Sequence, residues 1–231
     1  MKRSFINQII KEAEQFIKAH NFALPAWAYA APQRLLSMQE NAREVFQHGL
    51  GWDITDFSSL RFEKQGLVLI TLRNGGMRST KPYAEKIMIA REEQETPMHF
   101  HYKKMEDIIN RGGGVLVLEL YKSASDETLS RESFTVQIDG VSRQCAAGER
   151  VELEPGQSIC LTQGLYHRFF GKKGSGPVLI GEVSMVNDDS GDNRFLIPCG
   201  RFSDVEEDAP PYRLLVSDYA NLQKFMPGEK K

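Results

Sequence analysis

Five histidines occur in the chain, and two of them stand two residues apart in Pro97-Met98-His99-Phe100-His101-Tyr102-Lys103-Lys104-Met105-Glu106. Successive side chains of a β-strand point to opposite faces, so His99 and His101 project together and their imidazoles can share one metal ion. Glu106 follows in the same segment, far enough along for the chain to bend and return a carboxylate to that face. A third histidine, His167, ends a glycine-punctuated segment, Gly156-Gln157-Ser158-Ile159-Cys160-Leu161-Thr162-Gln163-Gly164-Leu165-Tyr166-His167.

The order of these residues resembles the two motifs of the cupin superfamily, G-x5-H-x-H-x4-E-x6-G and G-x5-P-x-G-x2-H-x3-N. His99, His101, Glu106 and Gly113 match the first motif, and Gly156, Gly164 and His167 the second. Glu93, Thr162 and Gly171 stand where the motifs have glycine, proline and asparagine. Those are turn positions, not ligands. The long spacing between the motifs implies an extra hairpin near Ser123–Ser142. Three neutral imidazoles and one carboxylate suit Mn, Fe, Co, Ni or Zn, with none of the thiolates that select structural zinc. An octahedral ion held by four protein ligands keeps positions open for substrate or water, which makes a catalytic site the expectation.

Cupins support many reactions, so the fold alone does not choose one. A closer likeness narrows the choice. Ala84-Glu85-Lys86-Ile87-Met88-Ile89, the block Met105–Gly114 after Met98-His99-Phe100-His101, and Gly181-Glu182-Val183-Ser184 with Asn187-Asp188-Asp189 resemble D-lyxose isomerases. The similarity spans residues 60–200, and the N-terminal helices suggest the longer enterobacterial type. The resemblance implies a manganese-dependent aldose–ketose isomerase interconverting D-lyxose with D-xylulose and D-mannose with D-fructose. The rivals are an Fe(II)-dependent cupin dioxygenase using the same four ligands and a non-enzymatic, sugar-binding cupin.

Moving a carbonyl from C1 to C2 requires a base that carries a proton between those carbons, the expected intermediate being a cis-enediol. Glu182 is the candidate, because alternation along Val178–Val186 directs it inward while Val183 packs outward. Lys86, between Glu85 and Ile87, is expected to face the cavity and hold a sugar hydroxyl or a developing oxyanion. Lys104, beside the ligand loop, is expected to serve the same role; the resemblance implies that Asp188, Asp189 and Arg194 grip sugar hydroxyls, and Asp107 is expected to orient a ligand histidine. Trp27, Tyr29, Trp52 and Phe100 can supply an apolar wall or simply pack in the core.

The elements that position these residues fall into two regions. Phe5, Ile6, Ile9, Ile10, Ala13, Phe16 and Ile17 recur at helical spacing, giving an amphipathic helix from Ser4, its expected N-cap, to about Ala19. Prolines at 25 and 32 exclude a helix through Asn21–Pro32 and imply a structured loop. A second helix is expected from near Pro32 to His48. Residues 1–51 are thus expected to form a helical segment packing on a cupin β-barrel at 52–231 that carries a C-terminal extension. From Gly51 onward short β-rich runs follow one another: Leu67–Arg73, Tyr83–Arg91, Val115–Lys122, Ser133–Ile138, a stretch around Val151–Thr162, and Val178–Val186. Turn signals separate them, Asp139-Gly140 among them, and no helical pattern intervenes. The expected fold is mainly β, an antiparallel jelly-roll-like cupin barrel. The acidic run from Asp204 to Asp208 reads as a solvated turn, and Tyr212–Phe225 as a last helix or strand.

Composition excludes several classes of function. With 231 residues, 41% hydrophobic and 26% charged, the chain falls in the globular range. Its 29 Lys+Arg and 31 Asp+Glu leave a net charge of −2, so no positive field favours nucleic acid. The apolar runs are far shorter than the roughly 18 residues that suggest a membrane span. Polar residues interrupt the basic N-terminus before any signal-peptide core forms, so a cytoplasmic location is expected. Cys145, Cys160 and Cys199 lack CxxC spacing and read as idle thiols. A homodimer is expected by analogy with other cupins, whose strand edges are commonly covered by a partner.

Overall fold

The computed structural model describes residues 1–76, 80–188 and 191–225. Helix α1 spans Arg3–Ala19, and two short helices follow, α2 at Pro32–Ser37 and α3 at Arg43–Gln47. The strands then run β1 Gly51–Thr55, β2 Leu67–Arg73, β3 Tyr83–Ala90, β4 His99–His101, β5 Glu106–Gly113 and β6 Leu116–Lys122. They continue with β7 Phe134–Ile138, β8 Val141–Cys145, β9 Glu149–Leu153, β10 Ser158–Leu161, β11 Leu165–Gly171, β12 Val178–Met185 and β13 Asn193–Phe195. A kinked 3-10 helix, Val216–Phe225, follows.

Two antiparallel sheets form, a larger one ordered β1-β2-β3-β12-β5-β10-β7-β8 and a smaller one ordered β13-β4-β11-β6-β9. Leu69, Met88, Ile108 and Ile180 of the larger sheet belong to one buried cluster with Leu118, Val151 and Phe169 of the smaller. This is the mainly-β, jelly-roll-like sandwich of cupin type that the strand pattern implies, with a helix added at the N-terminus. The outer face of β2 and β3, formed by Val68, Ile70, Ile87 and Ile89, clusters with Ile6, Ile9, Ile10, Ala13 and Ile17 of α1. Burial on both faces explains why Leu67–Leu72 is an apolar run and not an alternating strand.

The β7–β8 hairpin is the expected insertion between the motifs. Asp139 and Gly140 at its tip have φ of 50° and 78°, the left-handed pair a tight hairpin requires. Glu93, in place of the motif's first glycine, also has a positive φ of 54°, so the backbone keeps the glycine-like turn without the glycine.

Two expectations are corrected. The helix from Pro32 to His48 is two helices, because a turn closed by Asn41 N–H and Ala42 N–H donating to the Met38 carbonyl (2.9 and 2.8 Å) interrupts it. The break sends Leu35 and Val45 into one cluster with Leu50 and Leu214. Ser4 is not the cap of α1; Lys2 occupies that position, and Ser4 donates its N–H and its hydroxyl to Asp208. The acidic run is exposed, as expected of a solvated turn, and it is also paired. Asp208 places a carboxylate at the positive end of α1, and Glu207 joins Asp218 in clamping Arg3.

Arg3 is 0% exposed and bonds both carboxylates in bidentate fashion, at 2.7–3.0 Å. Deleting one partner of a buried pair strands the other, at a cost of roughly 3–5 kcal/mol. Arg3→Ala is expected to lower the melting temperature by about 6–20 °C at 2–4 °C per kcal/mol, with activity retained below the transition. A thermal melt showing no shift would mean that the clamp contributes nothing. Among the described residues no helix is long and apolar enough to cross a membrane.

Candidate metal centre and catalytic cavity

Strand β4 lies between β13 and β11. His99 pairs directly with His167 of β11, and His101 follows two residues along the same face of β4. Ring centroids lie 4.2 Å apart for His99 and His167, 5.1 Å for His99 and His101, and 5.5 Å for His101 and His167. One nitrogen from each ring falls within 4.8 Å of the others. The Nδ1–H of His99 donates to the Pro97 carbonyl at 2.9 Å and that of His167 to the Leu165 carbonyl at 3.0 Å. That tautomer leaves the Nε2 lone pair for a ligand, so backbone carbonyls do the orienting expected of Asp107.

Glu106 opens β5 on the opposite sheet. Its Oε1 lies 3.2 Å from His167 Nε2 and its Oε2 3.5 Å from His101 Nε2. The Nε2 atoms of His101 and His167 and the Nδ1 of His101 are buried without a hydrogen-bond partner. Buried polar atoms are rarely left this way, and acceptors converging on a carboxylate oxygen repel unless a cation lies between them. The donor set of three imidazoles and one carboxylate therefore fits a divalent metal ion. Burial, reinforced by the neighbouring imidazoles, holds His99 well below the usual histidine value; burial also lowers His101, against the pull of Glu106. Both rings are thereby kept neutral, the form that binds metal.

A second charged cluster adjoins this one. Glu182 of β12 pairs with Lys86 of β3 on one side and Ile108 of β5 on the other, and all three point between the sheets. Lys86 Nζ donates to the two carboxylate oxygens of Glu182 at 3.1 and 3.3 Å and to Asn187 Oδ1 at 2.6 Å. Lys104 Nζ bridges Glu182 at 3.0 Å and Glu106 at 2.6 Å. Ser184 donates its hydroxyl to Glu182 at 3.0 Å. Burial pushes the Glu182 carboxyl up, but Lys104 and Lys86 outweigh it and hold the group below its ordinary value, so it is a carboxylate. Burial likewise acts to lower Lys104, and Glu106 and Glu182 reverse it, keeping the ammonium charged. Sequence reasoning missed Asp192, a buried carboxylate that accepts the backbone N–H of Lys103 at 2.8 Å and of Lys104 at 2.9 Å and so fixes the start of the Lys104 side chain.

The three histidines, Glu106, Lys86, Lys104 and Glu182 line one cavity, joined by Phe57, Thr96, Asn193, Phe195 and Arg201. The register of β13 against β4 explains part of that list. Asn193 and Phe195 pair with the inward His101 and His99, whereas Arg194 pairs with Phe100, whose ring stacks against Tyr102 and Tyr166 on the other face. Arg194 accordingly bonds Glu127 at 2.7 Å and does not line the cavity. Asp188 is exposed and accepts the Gly191 N–H at 3.0 Å, as a turn cap. Asp189 lies outside the described residues. Asp107 faces outward, paired in register with Cys160. Trp52 is core and bonds the Ala28 carbonyl, and Phe57 and Phe195 supply the aromatic wall instead. The three cysteines are free.

Comparison with known proteins agrees with this geometry. The family model for D-lyxose isomerase matches residues 1–219. The D-lyxose/D-mannose isomerase of Serratia proteamaculans is 49% identical over 223 residues, 95% of this chain and 98% of that protein. That of Escherichia coli O157:H7 is 48% identical over 227 residues, 96% of this chain and 100% of the relative. Among solved structures, the L-ribose isomerase of Cellulomonas parahominis with L-ribose shares the fold, with a TM-score of 0.57 at 15% identity, over 89% of this chain and 98% of that one. The L-ribose isomerase of Geodermatophilus obscurus gives 0.56 at 15% identity over the same shares. The family-model match over residues 1–219 and the two relatives near half identity along almost their whole length place the chain in the D-lyxose isomerase family, and it is an isomerase.

Proposed function

We propose that the chain interconverts D-lyxose with D-xylulose and D-mannose with D-fructose, with Glu182 as the base that moves the proton. The supporting observation is a buried carboxylate, kept ionised by two ammonium groups, in the same cavity as three converging imidazoles. The names of the two relatives support the pair of sugars. His99, His101, Glu106 and His167 would hold a divalent cation, Mn²⁺ in this reading although the donors also admit Fe, Co, Ni or Zn, and the ion supplies Lewis-acid stabilisation of charge on sugar oxygens.

The chain's own groups do the rest. Glu182 takes the proton from the carbon beside the aldehyde and returns it to the adjacent carbon on the same face, one carboxylate serving both because the intermediate enediol stays in place, while the hydroxyl proton passes from O2 to O1 to complete the exchange. Lys86 and Lys104 hold the Glu182 oxygens before transfer and place positive charge beside the oxygen on which negative charge develops. Strands on both sides fix these side chains, so little reorganisation accompanies the reaction. Unpaired edges at β8 and β9 support a homodimer in which a second copy covers an edge, which sedimentation would test.

The decisive experiment supplies D-lyxose or D-mannose to the Mn²⁺-loaded protein in deuterated water. Ketose formation with solvent deuterium at the transferred position is the expected result. Ketose without deuterium under single turnover would replace proton transfer by a hydride shift. Fe(II)-dependent oxygen uptake with no ketose would overturn the isomerase reading in favour of a dioxygenase.

A further inference from the structure

The catalytic cavity measures about 60 Å³, far below the roughly 300–1,000 Å³ of ordinary small-molecule pockets. A sugar held by its carbonyl end at the histidines must send its remaining carbons into adjoining space. A larger cavity of about 730 Å³ lies alongside, lined by Ser58, Arg61, Glu95, Glu119 and Arg168, polar side chains suited to sugar hydroxyls. Phe57 and Thr96 line both spaces. Thr96 is locked to β11, its N–H donating to the Phe169 carbonyl at 3.1 Å and its hydroxyl accepting the Phe169 N–H at 3.0 Å. Phe57 is the other side chain that stands between the two spaces.

Its backbone is unusual. Phe57, Ser58 and Leu60 have φ of 52°, 60° and 57°, a left-handed conformation that bulky residues rarely adopt. Such strain persists only where surrounding contacts enforce it, and it concentrates at functional sites. Here the enforcing contacts are visible. The Phe57 N–H donates to Thr55 Oγ1 at 3.0 Å, the Thr55 hydroxyl donates to the Arg201 carbonyl at 2.7 Å, and Ser203 Oγ bonds Asp56 on both its N–H and its carboxylate. The turn is thus tied to the segment that carries Arg201 over the cavity. The Phe57 ring is 6% exposed and packs edge-on against Phe195, centroids 6.3 Å apart, and Phe195 packs on His99 at 5.5 Å.

We propose that Phe57 is the specificity-determining partition of this site: its ring stands where the carbons distal to the carbonyl must go, and its size sets how long an aldose is accepted. The inference rests on the isomerase reading above. A hexose such as D-mannose carries one carbon more beyond the ring-forming positions than D-lyxose, and one carbon placed against the apolar Phe57 ring changes discrimination by about 10-fold or more.

The test compares kcat/KM for D-mannose and D-lyxose across wild type, Phe57→Ala and Phe57→Trp. Phe57→Ala is expected to raise the mannose-to-lyxose ratio about tenfold, and Phe57→Trp to lower it. Phe57→Gly keeps the left-handed backbone at no steric cost, so it carries the test if the alanine variant fails to fold. A ratio within about twofold of wild type in the alanine or glycine variant would overturn the proposal, as would an equal fall in kcat on both sugars, which would assign Phe57 to holding His99 through Phe195. A wild-type protein inert on both sugars would instead overturn the isomerase reading, and this inference with it.

Discussion

Glu182→Gln is expected to lower kcat on D-lyxose by about 10²–10⁴-fold while the bound metal per chain stays at the wild-type level. Glutamine keeps the length of the side chain and one carbonyl oxygen that can still accept from Lys86, Lys104 and Ser184, the three donors that position the carboxylate. What it loses is the ability to receive a proton. Because that ability matters only as the C–H bond breaks, kcat and kcat/KM are expected to fall together. Hydrogen exchange at C2 in deuterated water is expected to disappear with turnover. The substitution also removes one negative charge from a cluster in which Lys86 and Lys104 face Glu106 and Glu182, so a melt is needed beside the kinetics. A folded Glu182→Gln protein whose kcat stays within about tenfold of wild type would move the proton transfer to another group.

The residues that alternation directs inward and that line the cavity share one property: strand parity decides their direction. His99 and His101 face one side of β4 together, Glu182 opposes Lys86 across β12 and β3, and Glu106 begins β5 on its inward parity. Arg194 and Asp107 each sit one position out of phase, which in a strand turns a side chain to the opposite face. Phe57, Thr96 and Arg201 line the cavity from connecting segments with no period, Thr96 and Arg201 held by hydrogen bonds to the distant Phe169 and Asp53, and Asp192 holds Lys104 from another such segment. Only the tertiary fold specifies them. The same limit explains the split helix after Pro32, where a turn at Met38–Ala42 serves a cluster completed by Leu214. The pairing of the exposed acidic run is not legible locally because the complementary charge, Arg3, lies at the other end of the chain.

Adding Mn²⁺ at about 100–1,000 times its dissociation constant is expected to stabilise the wild-type protein by about 2.7–4.1 kcal/mol, and to stabilise His167→Ala much less. For a chain of this size that corresponds to about 5–16 °C in melting temperature. Nε2 of His101 and of His167 are buried without a hydrogen-bond partner and face the oxygens of Glu106. Those atoms are costly to bury as they stand, and an ion held among them turns their mutual repulsion into attraction, so binding energy appears as folding energy. His167 is the sharpest probe. It is 1% exposed, its Nδ1–H is already committed to the Leu165 carbonyl, and its replacement takes one ligand from the group without touching Glu182, Lys86 or Lys104. Turnover is expected to vanish along with the metal-dependent shift. Calorimetric titration of chelator-stripped protein gives the binding constant independently of activity. A His167→Ala protein that binds Mn²⁺ as tightly as wild type, or a wild-type melt indifferent to Mn²⁺, would remove the three imidazoles from the role of a metal site.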